Sequence, residues 1–210
     1  MGAFITFEGV DGAGKSTQLE LLVRALRRAG YPVIASREPG GSPLGEAVRQ
    51  LLLDPKYTFG SMTEVLLMAA ARAAHVEQVI RPALDRGDFV LVDRYVDSSL
   101  AYQGVGLGVG IDPVLRINEF AIQRTWPDLT ILLDVPVAVA WERIRTRRGE
   151  AASDRLEARG SGYQEKVRTG YLELARRWPE RIVVVDARGP VQQVAEQVRV
   201  TVHRRLGLAI

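Results

Sequence analysis

Gly9-Val10-Asp11-Gly12-Ala13-Gly14-Lys15-Ser16-Thr17 is the stretch whose reading decides the fold. It matches G-x-x-x-x-G-K-[ST], directly after an apolar run, residues 3 to 7, and directly before a helical pattern. In that setting the glycines let the backbone curl so that successive N–H groups point inward. The positive end of the helix starting near Lys15 adds to them, and the result is a cradle for phosphate. All nine residues, Gly9 through Thr17, are candidate ATP-binding residues. Lys15 is expected to reach the β and γ phosphates, and the Ser16 hydroxyl to bind Mg²⁺. Asp93, at the end of Phe-Val-Leu-Val-Asp, is the candidate second ligand of that metal. Asp134, after Thr-Ile-Leu-Leu, is its rival, and a strand-end Asp can equally cap a helix.

Outward from this loop, short continuous apolar runs at 3–7, 32–36, 88–93, 129–134 and 181–186 alternate with longer helical patterns. Continuous rather than alternating runs are those of strands buried on both faces. The rhythm predicts an α/β, three-layer P-loop fold with a central parallel sheet of about five strands flanked by helices. Leu19, Leu22, Val23 and Leu26 recur at helical spacing up to a stop at Gly30. Ser61 and Glu64 form a capping-box pattern opening another helix, which runs to Pro82 or is bent by it. Pro136 opens a third, ending at Gly149. Glycines 104, 106, 108 and 110 follow no predicted strand, so a dinucleotide fingerprint is rejected.

With 210 residues, 47% hydrophobic and 25% charged, the chain is expected to form one domain, residues 1–210. No apolar run approaches the roughly 20 residues of a spanning helix. No secretory signal is read at the start, so a cytoplasmic protein without membrane partner is expected. There is no cysteine and there are two histidines, which excludes disulfides and Cys-ligated zinc and disfavours histidine-based triads. The net charge is +3, and every basic residue except Lys15, Lys56 and Lys166 is arginine, the fork-shaped partner of phosphate. No nucleic-acid-binding motif accompanies that charge, so small phosphorylated ligands are expected rather than a polymer. A regulatory GTPase would need N-K-x-D, but the one asparagine, Asn118, is followed by Glu-Phe-Ala. A kinase acting on a phosphorylated acceptor needs further arginines and a water-excluding element. A kinase of another nucleotide or deoxynucleoside, and an ATP-binding regulatory module with no second substrate, are the competing readings. Arg72 falls on one helical stripe with Val65, Met68, Val76 and Val79, the face that should be buried, where a guanidinium must have a partner.

Taken together, GVDGAGKST, Arg37 to Ser42 (REPGGS), Leu66 to Arg72 (LLMAAAR), Asp93 to Gly104 (DRYVDSSLAYQG) and the arginine-rich segment from Glu142 to Glu157 resemble the thymidylate kinase family over residues 3 to 200. The resemblance implies transfer of phosphate from ATP to dTMP with Mg²⁺, in dTTP synthesis, by a homodimer. It implies that Arg94 holds the acceptor phosphate, that Arg72 donates to a thymine carbonyl, and that Gln103 meets the N3 edge with help from Ser99. Tyr102 would exclude a ribose 2′-hydroxyl, and Asp11 would contact the sugar 3′-hydroxyl. Arg49 would lie near base and phosphate, while Glu38 and Pro39 would shape the acceptor site. Met68 stands where family members have a base-stacking Phe. One branch of the family carries an arginine in the phosphate loop, at the position of Gly12. Here the transition-state charge would come instead from a lid, about 143–157, through Arg148 and Arg155, with Arg143 near the adenine.

Overall fold

The computed structural model describes residues 2–148, 159–208 and 210, with residues 147 and 148 given by their backbone alone. Five strands, β1 (Phe4–Glu8), β2 (Val33–Arg37), β3 (Phe89–Asp93), β4 (Leu129–Asp134) and β5 (Ile182–Asp186), form one sheet in the order β2-β3-β1-β4-β5. Every pairing is parallel. β1 is central and fully buried, which is why its sequence is a continuous apolar run. Its neighbours lie on opposite sides of it, and the chain leaves β1 for one side before returning to the other. Such a switch opens a crevice at the carboxyl edge of the sheet.

Helices α1 (Lys15–Arg28), α2 (Pro43–Leu53), α3 (Ser61–His75), α4 (Arg81–Asp85), α5 (Val96–Ser99), α6 (Ile111–Ile122), α7 (Val137–Arg148), α8 (Ser161–Arg177) and α9 (Val191–Leu206) complete the described elements, with π-helical turns at Val76–Ile80 and Leu100–Gly106. In α1, Leu19, Leu22, Val23 and Leu26 pack with Ile5, Phe7, Phe89 and Leu91 in one core cluster. Pleating sends Phe4, Val90 and Val92 to the opposite side, where they meet Val76, Ile80, Ala83 and Ile122.

Three local expectations are corrected. Ser61 does not cap α3: Gly60 is the N-cap without a side-chain hydrogen bond, and Glu64 is buried with its carboxylate turned to Gln103 and Arg159. Pro82 does not end the helical run, which continues through α4 to Asp85. The π turn before it absorbs one extra residue, and Pro82 then sits in the first turn of α4, where its missing N–H costs nothing. That extra residue also shifts the helical phase. The buried stripe continues through Val76 to Ile80, and Val79 is only half-buried.

Candidate active site

The register of the sheet builds the site. Phe7 pairs with Asp93, and the Arg94 amide donates to the Phe7 carbonyl at 3.0 Å, so the loop after β1 and the turn after β3 begin side by side. A cavity of about 590 Å³ opens at this edge, well within the range of ligand pockets. One end is lined by Ala13, Gly14, Lys15, Ser16 and Thr17 together with Arg143, Ala187, Gly189, Pro190 and Val191; the other by Arg72, Ser99, Tyr102 and Gln103. Arg94 and Asp11 line it as well.

The glycines of the loop are needed where backbones touch. Gly9 has φ 139, and a Cβ there would stand 2.5 Å from the Leu133 carbonyl oxygen. Gly12 has φ 83, and a Cβ would meet the Ala140 carbonyl oxygen of α7 at 2.3 Å. A side chain at Gly12, such as the arginine of the other family branch, would have to push α7 away.

Lys15 is 6% exposed, and its Nζ donates to the Gly9 and Val10 carbonyls at 3.1 and 2.9 Å. Burial, then the neighbouring Arg94 charge, lower its pKa to about 8 against the pull of Asp93 and Asp11. A cation held so unfavourably is stabilised by an incoming anion. The Ser16 hydroxyl donates to Asp93 Oδ2 at 2.6 Å. Asp134, the rival, is taken by Arg168 through a bidentate pair at 2.7 and 2.9 Å.

Arg94 adopts φ 70, a left-handed conformation unfavourable to a side-chain-bearing residue and typical of sites where function imposes the backbone. Its guanidinium lies 4.8 Å from the Tyr102 ring centroid and donates to Asp11 Oδ1 at 2.6 Å and to the Gly9 carbonyl at 3.1 Å. Asp11 also accepts from Gln164 Nε2 at 2.8 Å and from the Tyr102 hydroxyl at 3.3 Å. Burial would raise its pKa, but Arg94 and Lys15 outweigh burial and hold the carboxyl below its ordinary value. Behind these groups lies Glu8, whose carboxylate accepts from the Tyr95 amide, Ser98 and Tyr171. Burial, then the charge of Asp97, raise its pKa to about 7.

Arg72 is 2% exposed and fixed from four directions. It donates to Glu38 Oε2 at 2.8 Å, Ser99 Oγ at 2.9 Å, the Tyr95 carbonyl at 3.0 Å and Asn118 Oδ1. Glu38 also meets His75 Nδ1 at 3.0 Å, so Glu38 works as an anchor for Arg72 beneath the cavity. Gly41 allows this packing, because a Cβ there would lie 2.5 Å from His75 Nε2. Arg49 donates to the Pro39 carbonyl at 3.0 Å, and both residues line the cavity, as does Met68. Arg143 reaches the Ala187 carbonyl at 2.8 Å.

The candidates Asp11, Gly12, Ala13, Gly14, Lys15, Ser16, Thr17, Glu38, Pro39, Arg49, Met68, Arg72, Asp93, Arg94, Ser99, Tyr102, Gln103 and Arg143 thus line one cavity, whereas Gly9 and Val10 do not. The side chain of Arg148, all of Arg155 and the lid segment beyond 148 up to 158 lie outside the described residues. Sequence reasoning missed Gln164 of α8, Arg159 just before that helix, and Glu64 of α3, whose spacing from Ser61 reads as a capping box. It also missed Ala187 to Val191 after β5, where Asp186-Ala187-Arg188-Gly189-Pro190 resembles an ordinary turn.

A cavity with a phosphate loop at one end and a second arginine-walled pocket at the other defines a phosphotransferase of the P-loop class. The family described as "Thymidylate kinase" matches residues 7–198. A thymidylate kinase of Symbiobacterium thermophilum is 49% identical over 200 residues, covering 95% of this chain and 92% of the relative. One of Halothermothrix orenii is 47% identical over 186 residues, covering 89% of each. The crystal structure of thymidylate kinase from Ehrlichia chaffeensis has a TM-score of 0.78 at 31% identity, covering 96% of this chain and 98% of that one. The chain belongs to the thymidylate kinase family. It is an ATP-dependent transferase that phosphorylates dTMP to dTDP, a step of dTTP synthesis.

Proposed function

We propose that the two ends of the cavity hold the two nucleotides of this reaction and that the residues between them align the phosphates. The observation that carries this division is the cluster Lys15, Arg94 and Asp11, three charged side chains between the loop end and the arginine-walled end. The loop amides of Gly9–Thr17 and Lys15 bind the triphosphate of ATP, with Arg143 and the segment 187–191 beside the adenine. Arg94 binds the acceptor phosphate, and Asp11, kept ionised by Arg94 and Lys15, orients the sugar 3′-hydroxyl. Tyr102, tied to Asp11 through its hydroxyl, stands where a ribose 2′-hydroxyl would enter. Arg72 and Gln103 read the base, assisted by Ser99, over a floor formed by Met68, Glu38, Pro39 and Arg49.

Phosphoryl transfer passes through a loose transition state, so positioning and charge neutralisation dominate and no strong general base is required. Ser16 and Asp93 present hydroxyl and carboxylate oxygens in mutual contact, a hard-oxygen pair suited to Mg²⁺. When bound, Mg²⁺ would neutralise phosphate charge there. Arg148 and Arg155 are the lid residues we propose to add charge from segment 143–157 of a single domain, residues 1–210. Steady-state ADP release with a panel of nucleoside monophosphates tests the reading. The expected result is dTMP preferred by at least about tenfold over other bases, the scale of one buried polar group left unpaired. ADP release independent of any acceptor would overturn it.

We also propose a cytoplasmic homodimer. No helix among the described residues is long and apolar enough to cross a membrane. Met62 and Leu66 of α3 and Phe120 of α6 are exposed, Phe120 by 85%, on helices that pack together, and large exposed apolar side chains on neighbouring helices mark an interface. Sedimentation should give twice the 23.2 kDa chain mass, and Phe120→Asp should shift the species to the monomer. A monomeric wild-type protein at micromolar concentration would refute the interface.

A further inference from the structure

Gln103 carries an amide that can face the cavity in two ways, oxygen inward or nitrogen inward, and the two ways recognise opposite bases. A thymine N3 edge donates one proton, whereas the cytosine N3 is an acceptor. The amide oxygen therefore suits the first and the amide nitrogen the second. An isolated glutamine at this position would turn to fit either.

The orientation is decided from behind. Gln103 Nε2 donates to Glu64 Oε1 at 3.0 Å, and an ionised carboxylate can only accept. Glu64 is itself almost fully buried and does not line the cavity. Its charge is balanced by Arg159, which approaches Oε1 through Nη1 at 3.1 Å and Oε2 through Nη2 at 2.5 Å. Arg159 is fixed in turn: its guanidinium lies 5.0 Å from the Tyr163 ring centroid and donates to the Tyr163 hydroxyl at 3.0 Å, and that hydroxyl donates to the Tyr102 carbonyl at 2.9 Å. With Nε2 committed, Gln103 Oε1 has no protein donor among the described residues, on a side chain that lines the cavity.

We propose that Glu64 is a specificity-determining positioning residue: it locks the Gln103 amide with its oxygen toward the base, so that a pyrimidine donating at N3 is accepted and one accepting at N3 is rejected. The inference rests on the reading of this end of the cavity as the base pocket. Arg72 discriminates separately, at the neighbouring exocyclic position, so loss of the lock weakens selectivity without abolishing it.

The test is the ratio of kcat/KM for dTMP to that for dCMP in wild type, Glu64→Gln, Gln103→Leu and the double variant. An amide at position 64 can both donate and accept, so Gln103 is released to turn in the first variant. The ratio is expected to fall about tenfold, with the KM for ATP unchanged. Adding E64Q to Q103L should lower the ratio no further, because the effect runs through Gln103. A ratio in E64Q equal to wild type overturns the inference while leaving the base pocket standing, as does a further independent fall in the double variant. A wild-type enzyme with no preference for dTMP overturns both. Should E64Q fail to fold because Arg159 loses its partner, the same ratio is read in E64Q/R159Q, which removes both charges.

Discussion

Lys15→Ala is expected to lower kcat by about a thousandfold or more, the scale of losing a charge-stabilising donor at the reacting group, while the protein keeps its fold. Among the described residues the ammonium's hydrogen bonds go to the Gly9 and Val10 carbonyls, contacts that water can replace. Asp11, whose charge it helps to hold, keeps Arg94 as its partner. Removing the ammonium should leave thermal unfolding at or above wild type at neutral pH, where the buried cation is still charged and costs stability, and near-normal turnover would count against a catalytic phosphate loop. The pH dependence has a definite sign. The folded pKa of about 8 lies below the ordinary lysine value of 10.5. Between those values the unfolded chain holds the proton and the native state has released it, so Lys15 makes stability rise with pH across that window. The Ala variant should lack that rise in denaturant titrations from pH 7.5 to 10.5.

Arg72→Ala should damage both stability and acceptor selection. Its guanidinium neutralises Glu38 in a nearly dry site, and removal leaves that carboxylate with His75 as its remaining side-chain partner. Breaking a buried pair in this way costs about 3–5 kcal/mol, which for a domain of this size lowers Tm by roughly 10 °C. Function should fall separately, with kcat/KM for dTMP reduced about a hundredfold and the KM for ATP unaltered. Arg72→Lys separates the two effects: it restores a charge to Glu38 but not the planar fork that reaches Ser99, Asn118 and the Tyr95 carbonyl together. Part of the Tm should return, and little of the dTMP efficiency. An unchanged acceptor KM in either variant would sink the role of Arg72 in reading the base.

The legible part of the site is the part written in contiguous residues. Gly9 to Thr17 must follow a strand and open a helix to work, and both flanks are visible in the local pattern. Arg72 announced itself as a charge on an apolar stripe, a conflict that only a buried partner resolves. The partner itself is not visible, because Glu38 lies 34 residues away in a loop whose expected part is to shape the acceptor site. Glu64 is the sharper case. Three residues after Ser61 it has the spacing of a capping box, and nothing local distinguishes a carboxylate that turns back to its own helix from one that reaches Gln103.

The parallel sheet, the phosphate loop and the family are legible from the chain alone, because each depends on local periodicity or on motifs in fixed order. The tertiary structure alone brings Asp93 to Ser16 and gives Asp134 to Arg168. It also decided the shift from Val79 to Ile80, through one extra residue in a helical turn. The facing of the Gln103 amide was decided there too, by a carboxylate 39 residues earlier and a guanidinium 95 residues beyond that carboxylate. Hydrogen-bond direction depends on which groups meet in space, and no spacing along the chain encodes that meeting.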